Sequence, residues 1–455
     1  MVDLIMKDIL GTPAILVGLF AFLGLIFQKK NTADIVSGTL KTIMGFVILS
    51  AGAQVIVQSL GKFSSMFNEA FSVNGVIPNN EAIVALAQEG FGTETAMIML
   101  FGMVANIILA RVTPFKYIFL TGHHTMFMAC LIAVILTTGG MSGISMIILG
   151  SIILGTLMVL SPAILQPFTR KITGSDDFAI GHFGSAGYFV SSLVGKAVGK
   201  NSKSTEEIKV PKSLGFLRDT SVSVALTMVL LFFVVALFAG PQFIEAELSG
   251  GQNFLVFAFM QGLTFAAGVY IILAGVRMLL GEIVPAFKGI ADKVVPNAKP
   301  ALDCPAIFPF ASNAVIIGFL FSFIAGLISM MFLPLLGLSV IVPGLVPHFF
   351  TGAAAGVFGN ATGGRKGAIF GSMANGVLIS FLPAVLLPVL GSLGFEGTTF
   401  GDSDFGVVGI VLGNLVRVIE SNPLFIGVTL LLIAVLFALG WKSKSLKEAK
   451  DSEAA

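Results

Sequence analysis

The sequence predicts an all-α, polytopic membrane protein, and three observations carry that prediction. Of its 455 residues, 56% are apolar and 11% charged, against about 25% charged in an average soluble domain. Mean hydropathy is +0.98. Two stretches, 117–169 and 304–364, contain no Asp, Glu, Lys or Arg at all. A soluble surface cannot be coated with so few charges, so a soluble enzyme is excluded. A net charge of +2 argues against a polyanionic partner such as nucleic acid. The 53 glycines and 42 phenylalanines suit packed membrane helices, where small residues let backbones approach. Cys130 and Cys304 form neither a disulfide framework nor a metal pattern. The start of the chain has no basic region or small-residue cleavage site, so no removable signal peptide is expected.

A helix needs about 20 apolar residues to cross a bilayer, and the charge-poor runs place eleven such spans. They lie at 9–28, 42–61 and 95–110, then two within 117–169 that turn near Thr137-Thr138-Gly139-Gly140. Residues 220–244 and 248–276 follow. Two more lie within 304–364, broken near Pro334 or Gly337, then 367–395 and 421–441. With the N-terminus outside, 23 of the 26 basic residues fall on the inner side, and only Lys7, Lys62 and Arg417 do not. Basic residues mark the cytoplasmic side, so the expected orientation is N-terminus out and C-terminus in.

Five spans precede residue 220 and five follow before the last. An odd repeat unit has to be inverted in the membrane, which divides the chain into 1–219, 220–420, a last helix at 421–441 and a tail at 442–455. Ala70-Phe71 with Val76-Ile77-Pro78-Asn79 resembles Ala286-Phe287 with Val294-Val295-Pro296-Asn297, each pair following the second span of its half. Inverted repeats point to a secondary transporter with a site near the midplane.

Two regions break the helical pattern. Phe178 to Val194 is apolar, Gly-rich and short, bounded by Asp177 and Lys196, and reads as a re-entrant hairpin. Residues 300–313 hold Pro300, Pro305 and Pro309, too many for a regular helix. Non-helical backbone at membrane depth is tolerated only within protein or beside a cavity. Asp303, in this break, is the leading candidate, because an ionisable group inside a membrane segment marks a site by default. Its carboxylate can accept hydroxyl hydrogen bonds from a sugar or polyol, or cap the next helix. All four histidines, His123, His124, His182 and His348, lie in or beside apolar segments. A neutral histidine offers one donor and one acceptor. No His pair has i,i+4 spacing, so no metal site is expected. Glu94 and Thr95 open the third span, and Asn313 and Asn360 are polar groups at apolar segments. There is no nucleotide-binding, metalloprotease or nucleophile-elbow motif, so neither a cofactor nor a catalytic residue is expected.

At these residues the chain resembles a family. Leu120-Thr121-Gly122-His123, Ile180-Gly181-His182, Asp303-Cys304-Pro305-Ala306-Ile307, Phe310-Ala311-Ser312-Asn313-Ala314-Val315 and Pro343-Gly344-Leu345-Val346-Pro347 look like the ascorbate-type IIC permeases of the bacterial phosphotransferase system, in the ascorbate–galactitol superfamily. The resemblance begins at Lys41-Thr42-Ile43-Met44-Gly45-Phe46 and runs to the last span. It implies a homodimeric, eleven-span permease of the bacterial cell membrane with two inverted repeats, a dimerising scaffold and a core that moves as an elevator. It implies that the sugar is phosphorylated at the inner face by a separate IIB protein, itself supplied by a IIA protein. The tail after Trp441 has 14 residues, so those functions are expected on other polypeptides. His123, His182 and Asp303 fall on the family's binding motifs, and Asn313 falls within a further motif. The ascorbate-transporting pattern has glutamines where this chain has Phe127 and Phe183, and aromatic and small polar groups where it has Thr93-Glu94-Thr95. The substrate expected is a small sugar acid or polyol, L-ascorbate first. The alternatives are another sugar or pentitol, or a proton- or ion-coupled symporter in which Asp303, Glu94 and the histidines form a relay.

Overall fold

The computed structural model describes residues 12–72, 75–208, 220–390, 398–418 and, between 426 and 441, all but 432, 436, 439 and 440. Residues 209–219, with the expected boundary between the halves, and 442–455 lie outside the described residues, as do the start of the first predicted span and part of the last.

The described residues are mostly helical. The first half contains α1 (Pro13–Phe27), α2 (Thr32–Phe71), α3 (Asn80–Val112), α4 (Gly122–Thr138), α5 (Gly143–Thr173) and α6 (Ser185–Val198). The second contains α7 (Thr220–Ala239), the single turn α8 (Pro241–Phe243), α9 (Phe254–Lys293), α10 (Ser312–Phe332), α11 (Leu345–Leu386) and α12 (Ser403–Val418). Asparagines start several of these helices: Asn31 accepts from Asp34 N at 2.9 Å, Asn79 from Ala82 N at 2.8 Å and Asn253 from Leu255 N at 3.1 Å. Each satisfies an amide that has no partner inside its helix.

Among the described residues, six helices are long and apolar enough to span a bilayer, or seven if α7 and the segment 241–248, bent by 101°, form one span. α1, α4 and Ile426–Val435 are apolar but shorter. The turn expected near Gly139 is present between α4 and α5. The break expected near Pro334 is a 3-10 turn ending at Gly337, whose φ is +70°. The boundary expected at Arg365-Lys366 is a kink inside α11 at Gly363 and Gly364. α6 has 14 residues, too few to cross, and the segment Cys304–Phe310 is 3-10, as its prolines require.

α2 and α9, 40 residues each, pack along each other. Glycines set the spacing: a Cβ on Gly275 would lie 2.4 Å from Leu49 N, and one on Gly45 2.6 Å from Leu279 N.

Short strands organise the rest. β2 (Tyr117–Phe119), β4 (Lys299–Leu302) and β3 (Ala179–Ile180) form a parallel trio with β4 in the middle. β1 (Ile77–Pro78) pairs in parallel with β5 (Thr398–Thr399), and the neighbouring Val76 bridges in parallel to Ile341. Each trio takes its central member from the opposite half. Every strand or bridge residue is followed within a few residues by a helix, α4, the 3-10 segment, α6, α3, α12 or α11. A cluster of Asp176, Arg170, Lys299 and Gln166 lies at the start of β4: Arg170 Nε and Nη2 donate to Asp176 at 2.7 and 2.9 Å, Gln166 Nε2 at 2.6 Å, and Lys299 Nζ also donates.

Candidate substrate site

The register of the first trio explains why three remote motifs meet. Ala301 of β4 lies opposite Phe119 of β2 and Ala179 of β3. The chains leave the trio side by side, and His123, Asp303 and His182 follow within four residues of their strands. Leu120 N donates to Ala301 O at 2.9 Å, Gly181 N to Leu302 O at 2.7 Å, and Thr121 Oγ1 to Gly181 O at 2.5 Å. Gly181 has no room for a side chain, since a Cβ would lie 2.8 Å from Ala301 O.

Asp303 is therefore flanked by two histidines. His123 Nε2 is 3.5 Å from Oδ2, and His182 Nε2 is 3.8 Å from Oδ1. Asp303 also accepts from Cys304 N at 2.6 Å as the cap of the 3-10 segment. It is both a cap and part of a cavity wall. His182 has a defined tautomer. The amide of Gly184 donates to its Nδ1 at 3.0 Å, with the Tyr188 hydroxyl 2.9 Å away. An amide N–H can only donate, so Nδ1 accepts and the neutral ring carries its proton on Nε2, facing Asp303.

The second trio delivers a matching set. Asn79 and Asn80 follow β1, and Gly401 and Asp402 follow β5. Asn80 Nδ2 donates to Asp402 Oδ2 at 3.0 Å, and Asn80 Oδ1 accepts from Gly401 N at 2.8 Å. His124 joins the two sets. Its ring lies 3.9 Å from that of His182, centroid to centroid, and its Nδ1 is 3.9 Å from Asp402 Oδ2. The first turn of α6 is held by Asp404, which accepts from Ser185 N at 3.1 Å, Ala186 N at 2.7 Å and Ser185 Oγ.

These groups line a cavity of about 410 Å³, closed on its other side by Ser50, Gln54 and apolar residues of α2, a size suited to a small-molecule ligand. The N-terminal residues of α3, α4 and α11 reach its wall, as do the residues just before α12. Helix N-termini carry partial positive charge, which offsets the two carboxylates.

Of the residues expected at the site, His123, His182 and Asp303 line this cavity, and so does Phe127. Phe183 is fully buried and stacks on Phe119 at 4.9 Å, away from the cavity wall. Glu94 and Thr95 lie in α3 beyond a kink at Phe91, and neither lines the cavity. Asn313 bonds to Thr205 O at 3.2 Å and its amide to Glu206 at 3.1 Å, outside the cavity wall. Asn80, Asp402 and His124 complete the wall. Asp402 sits in the polar run Gly401-Asp402-Ser403-Asp404, which gives it none of the contrast that singled out Asp303. Histidine spacing in the sequence offers no metal pattern, yet the fold gathers three overlapping sets of His, Asp and Cys with ligand atoms within 4.8 Å: His123, His124 and Asp303; His124, His182 and Asp402; His182, Asp303 and Cys304. The Nε2 proton leaves His182 without a lone pair for a metal, which removes it from two of these sets.

Comparison with known proteins places the chain. Residues 8–404 match the family described as the PTS system sugar-specific permease component, EIIC-GAT, where PTS denotes the phosphotransferase system. The chain is 28% identical over 418 residues to the ascorbate-specific PTS system EIIC component of Mycoplasma pneumoniae (strain ATCC 29342 / M129 / Subtype 1), covering 80% of this chain and 63% of that relative. The chain thus matches less than two thirds of that relative's length.

Proposed function

Because the chain belongs to the family of PTS sugar-specific permease components, we propose that it carries a small sugar acid or polyol, L-ascorbate first, across a bacterial cell membrane. The substrate is handed to a separate IIB protein, recharged by a IIA protein, for phosphorylation at the inner face. One observation carries this reading: His123, His182 and Asp303, from three remote segments, face one cavity. Asp303 accepts substrate hydroxyls, while His182 donates from Nε2. Ascorbate is singly negative near neutral pH, and the helix N-termini around the cavity favour an anion. The relative's ascorbate specificity supports the same choice.

The wider architecture follows from this reading. The halves 1–219 and 220–420 are inverted five-span repeats, and the exchange of central strands between them supports that symmetry. An eleventh helix at 421–441 completes the spans, with the N-terminus outside and the C-terminus inside. Two protomers pair, and the part bearing the strands and cavity slides past α2 as an elevator.

Uptake of labelled L-ascorbate into cells expressing this chain tests the function. The expected result is accumulation of the sugar phosphate only when cognate IIA and IIB proteins are present. Accumulation of free ascorbate without them would sink the reading and favour a coupled symporter.

A further inference from the structure

His124 has a feature that the roles given to His123, His182 and Asp303 leave unused. Its side chain is 5% exposed, and its Nδ1 has no hydrogen-bond partner among the described residues. Burying such a group without a partner is costly, and it faces Asp402 Oδ2 at 3.9 Å, too far for a direct hydrogen bond. The ring cannot swing away easily. It is held between His182, 3.9 Å away, and Phe405, 5.9 Å away with ring planes 5° apart. Asp402 is held from behind by Asn80 Nδ2 at 3.0 Å. Both His124 and Asp402 line the cavity that also contains Asp303.

We propose that His124 and Asp402 form a second hydroxyl-binding subsite, in which one hydroxyl of the carried polyol bridges the two side chains. The inference rests on reading the cavity as a sugar site. The hydroxyl oxygen accepts from His124 Nδ1–H, and its hydrogen goes to Asp402 Oδ2. An oxygen about 2.8 Å from each atom closes the gap at an angle of roughly 90°, which a hydroxyl tolerates. The ligand class this selects is a polyol or sugar acid with at least one hydroxyl beyond those held by Asp303. A site that hydrogen-bonds a hydroxyl rejects analogues lacking it strongly, because its own buried groups are then left unpaired.

The test uses the purified full-length protein with four probes: L-ascorbate, xylitol, galactitol and gluconate. Affinity for the tightest-binding probe and the thermal midpoint without ligand are measured for the parent, His124→Leu, His124→Asn, Asp402→Asn and the double variant His124→Leu/Asp402→Asn. In His124→Leu the affinity falls about tenfold while the unliganded midpoint rises, because a buried unpaired nitrogen is removed. His124→Asn, whose amide occupies the place of Nδ1, stays within about threefold of the parent. Asp402→Asn binds about tenfold more weakly. The double variant falls little below either single one, because both residues hold the same hydroxyl. Parent-like affinity in His124→Leu, a lowered midpoint in His124→Leu, or fully additive losses would each overturn the subsite and leave the transport reading standing. A parent that binds none of the four probes would overturn the transport reading, and this subsite with it.

Discussion

Asn80 and Asp402, 322 positions apart in the chain, tie its two halves together at the cavity: the Asn80 amide donates to Asp402 Oδ2 at 3.0 Å, and its carbonyl accepts from Gly401 N at 2.8 Å. Both side chains are buried. Asn80→Ala removes both bonds and should cost about 1.5–3 kcal/mol, the range for losing a bond to a charged group. Asn80→Asp should cost more, because it sets a second carboxylate against Asp402. Chemical unfolding in detergent ranks the three proteins, and Asn80→Asp at least as stable as Asn80→Ala would contradict this account.

Asp303 caps the 3-10 segment and faces the cavity, and one substitution separates these roles. Asparagine caps as well as aspartate, so Asp303→Asn should fold and express normally. As a sugar ligand it loses a charged acceptor worth about 1.5–3 kcal/mol, roughly 10- to 150-fold in affinity. His182→Ala should cost less, about 0.5–1.5 kcal/mol for a neutral bond. Ascorbate isotherms for Asp303→Asn that overlay the parent would leave only the cap.

Acid should loosen the strand trio through Asp176. Partial burial raises its pKa, but hydrogen bonds from Arg170, Lys299 and Gln166, with the Lys299 charge, outweigh that and lower it from 3.8 to about 2. A carboxyl whose folded pKa lies below its unfolded value contributes stability above the unfolded pKa. Here that contribution is full above about 4 and disappears as pH falls through about 2. Thermal midpoints measured from pH 6 down to pH 2 should drop more steeply for the parent than for Asp176→Asn. At pH 6 the variant should be the less stable protein.

The crossing of α2 and α9 has no room for a methyl group at Gly275, where a Cβ would lie 2.4 Å from Leu49 N and 2.8 Å from Gly45 O. Both neighbours are backbone atoms and cannot rotate aside. Gly275→Ala should therefore push the helices apart at a cost of about 1–3 kcal/mol. Gly281→Ala, on the same helix with nothing within 4 Å, serves as the control. Equal unfolding midpoints for the two variants would refute the close-packing account.

The proposed orientation is open to chemical labelling. A cysteine at Ser64, near the end of α2, should react with an impermeant thiol reagent in intact cells. One at Ser443 should react only after the membrane is opened. Labelling of Ser443→Cys from outside would reverse the topology.

Much of the fold was legible because charges are so scarce that the long runs without them outline the apolar helices. Arg365-Lys366 coincides with the kink of α11, and the proline run 300–313 with a 3-10 segment. The long helices hid their own length. α11 continues through its glycine kink, and α1 and α4 are shorter than the long apolar helices, so among the described residues a count of apolar runs and a count of long spanning helices differ. At the site, Asp303 and His182 stood out as polar groups in apolar company. Asn80 and Asp402 did not, since their contact joins opposite halves and depends on a strand pairing of two residues. Glu94 and Asn313 carried a similar sequence signal to Asp303. Only the fold separates them, with Glu94 beyond the Phe91 kink and Asn313 against Thr205 and Glu206.

The exchanged central strands also set a timetable for biogenesis. A ribosome that has finished β3 has made both outer members of the first trio, but β4 lies about 120 residues further on. At 5–20 residues per second that is roughly 6–24 s. During that interval His123 and His182 have no Asp303 to face, and the backbone edges of β2 and β3 stand open. The second trio waits longer still, because β5 comes near the end of the described chain. Neither half can mature before the other is made, so a nascent or truncated N-terminal half remains a client of the insertion and quality-control machinery until its complement arrives.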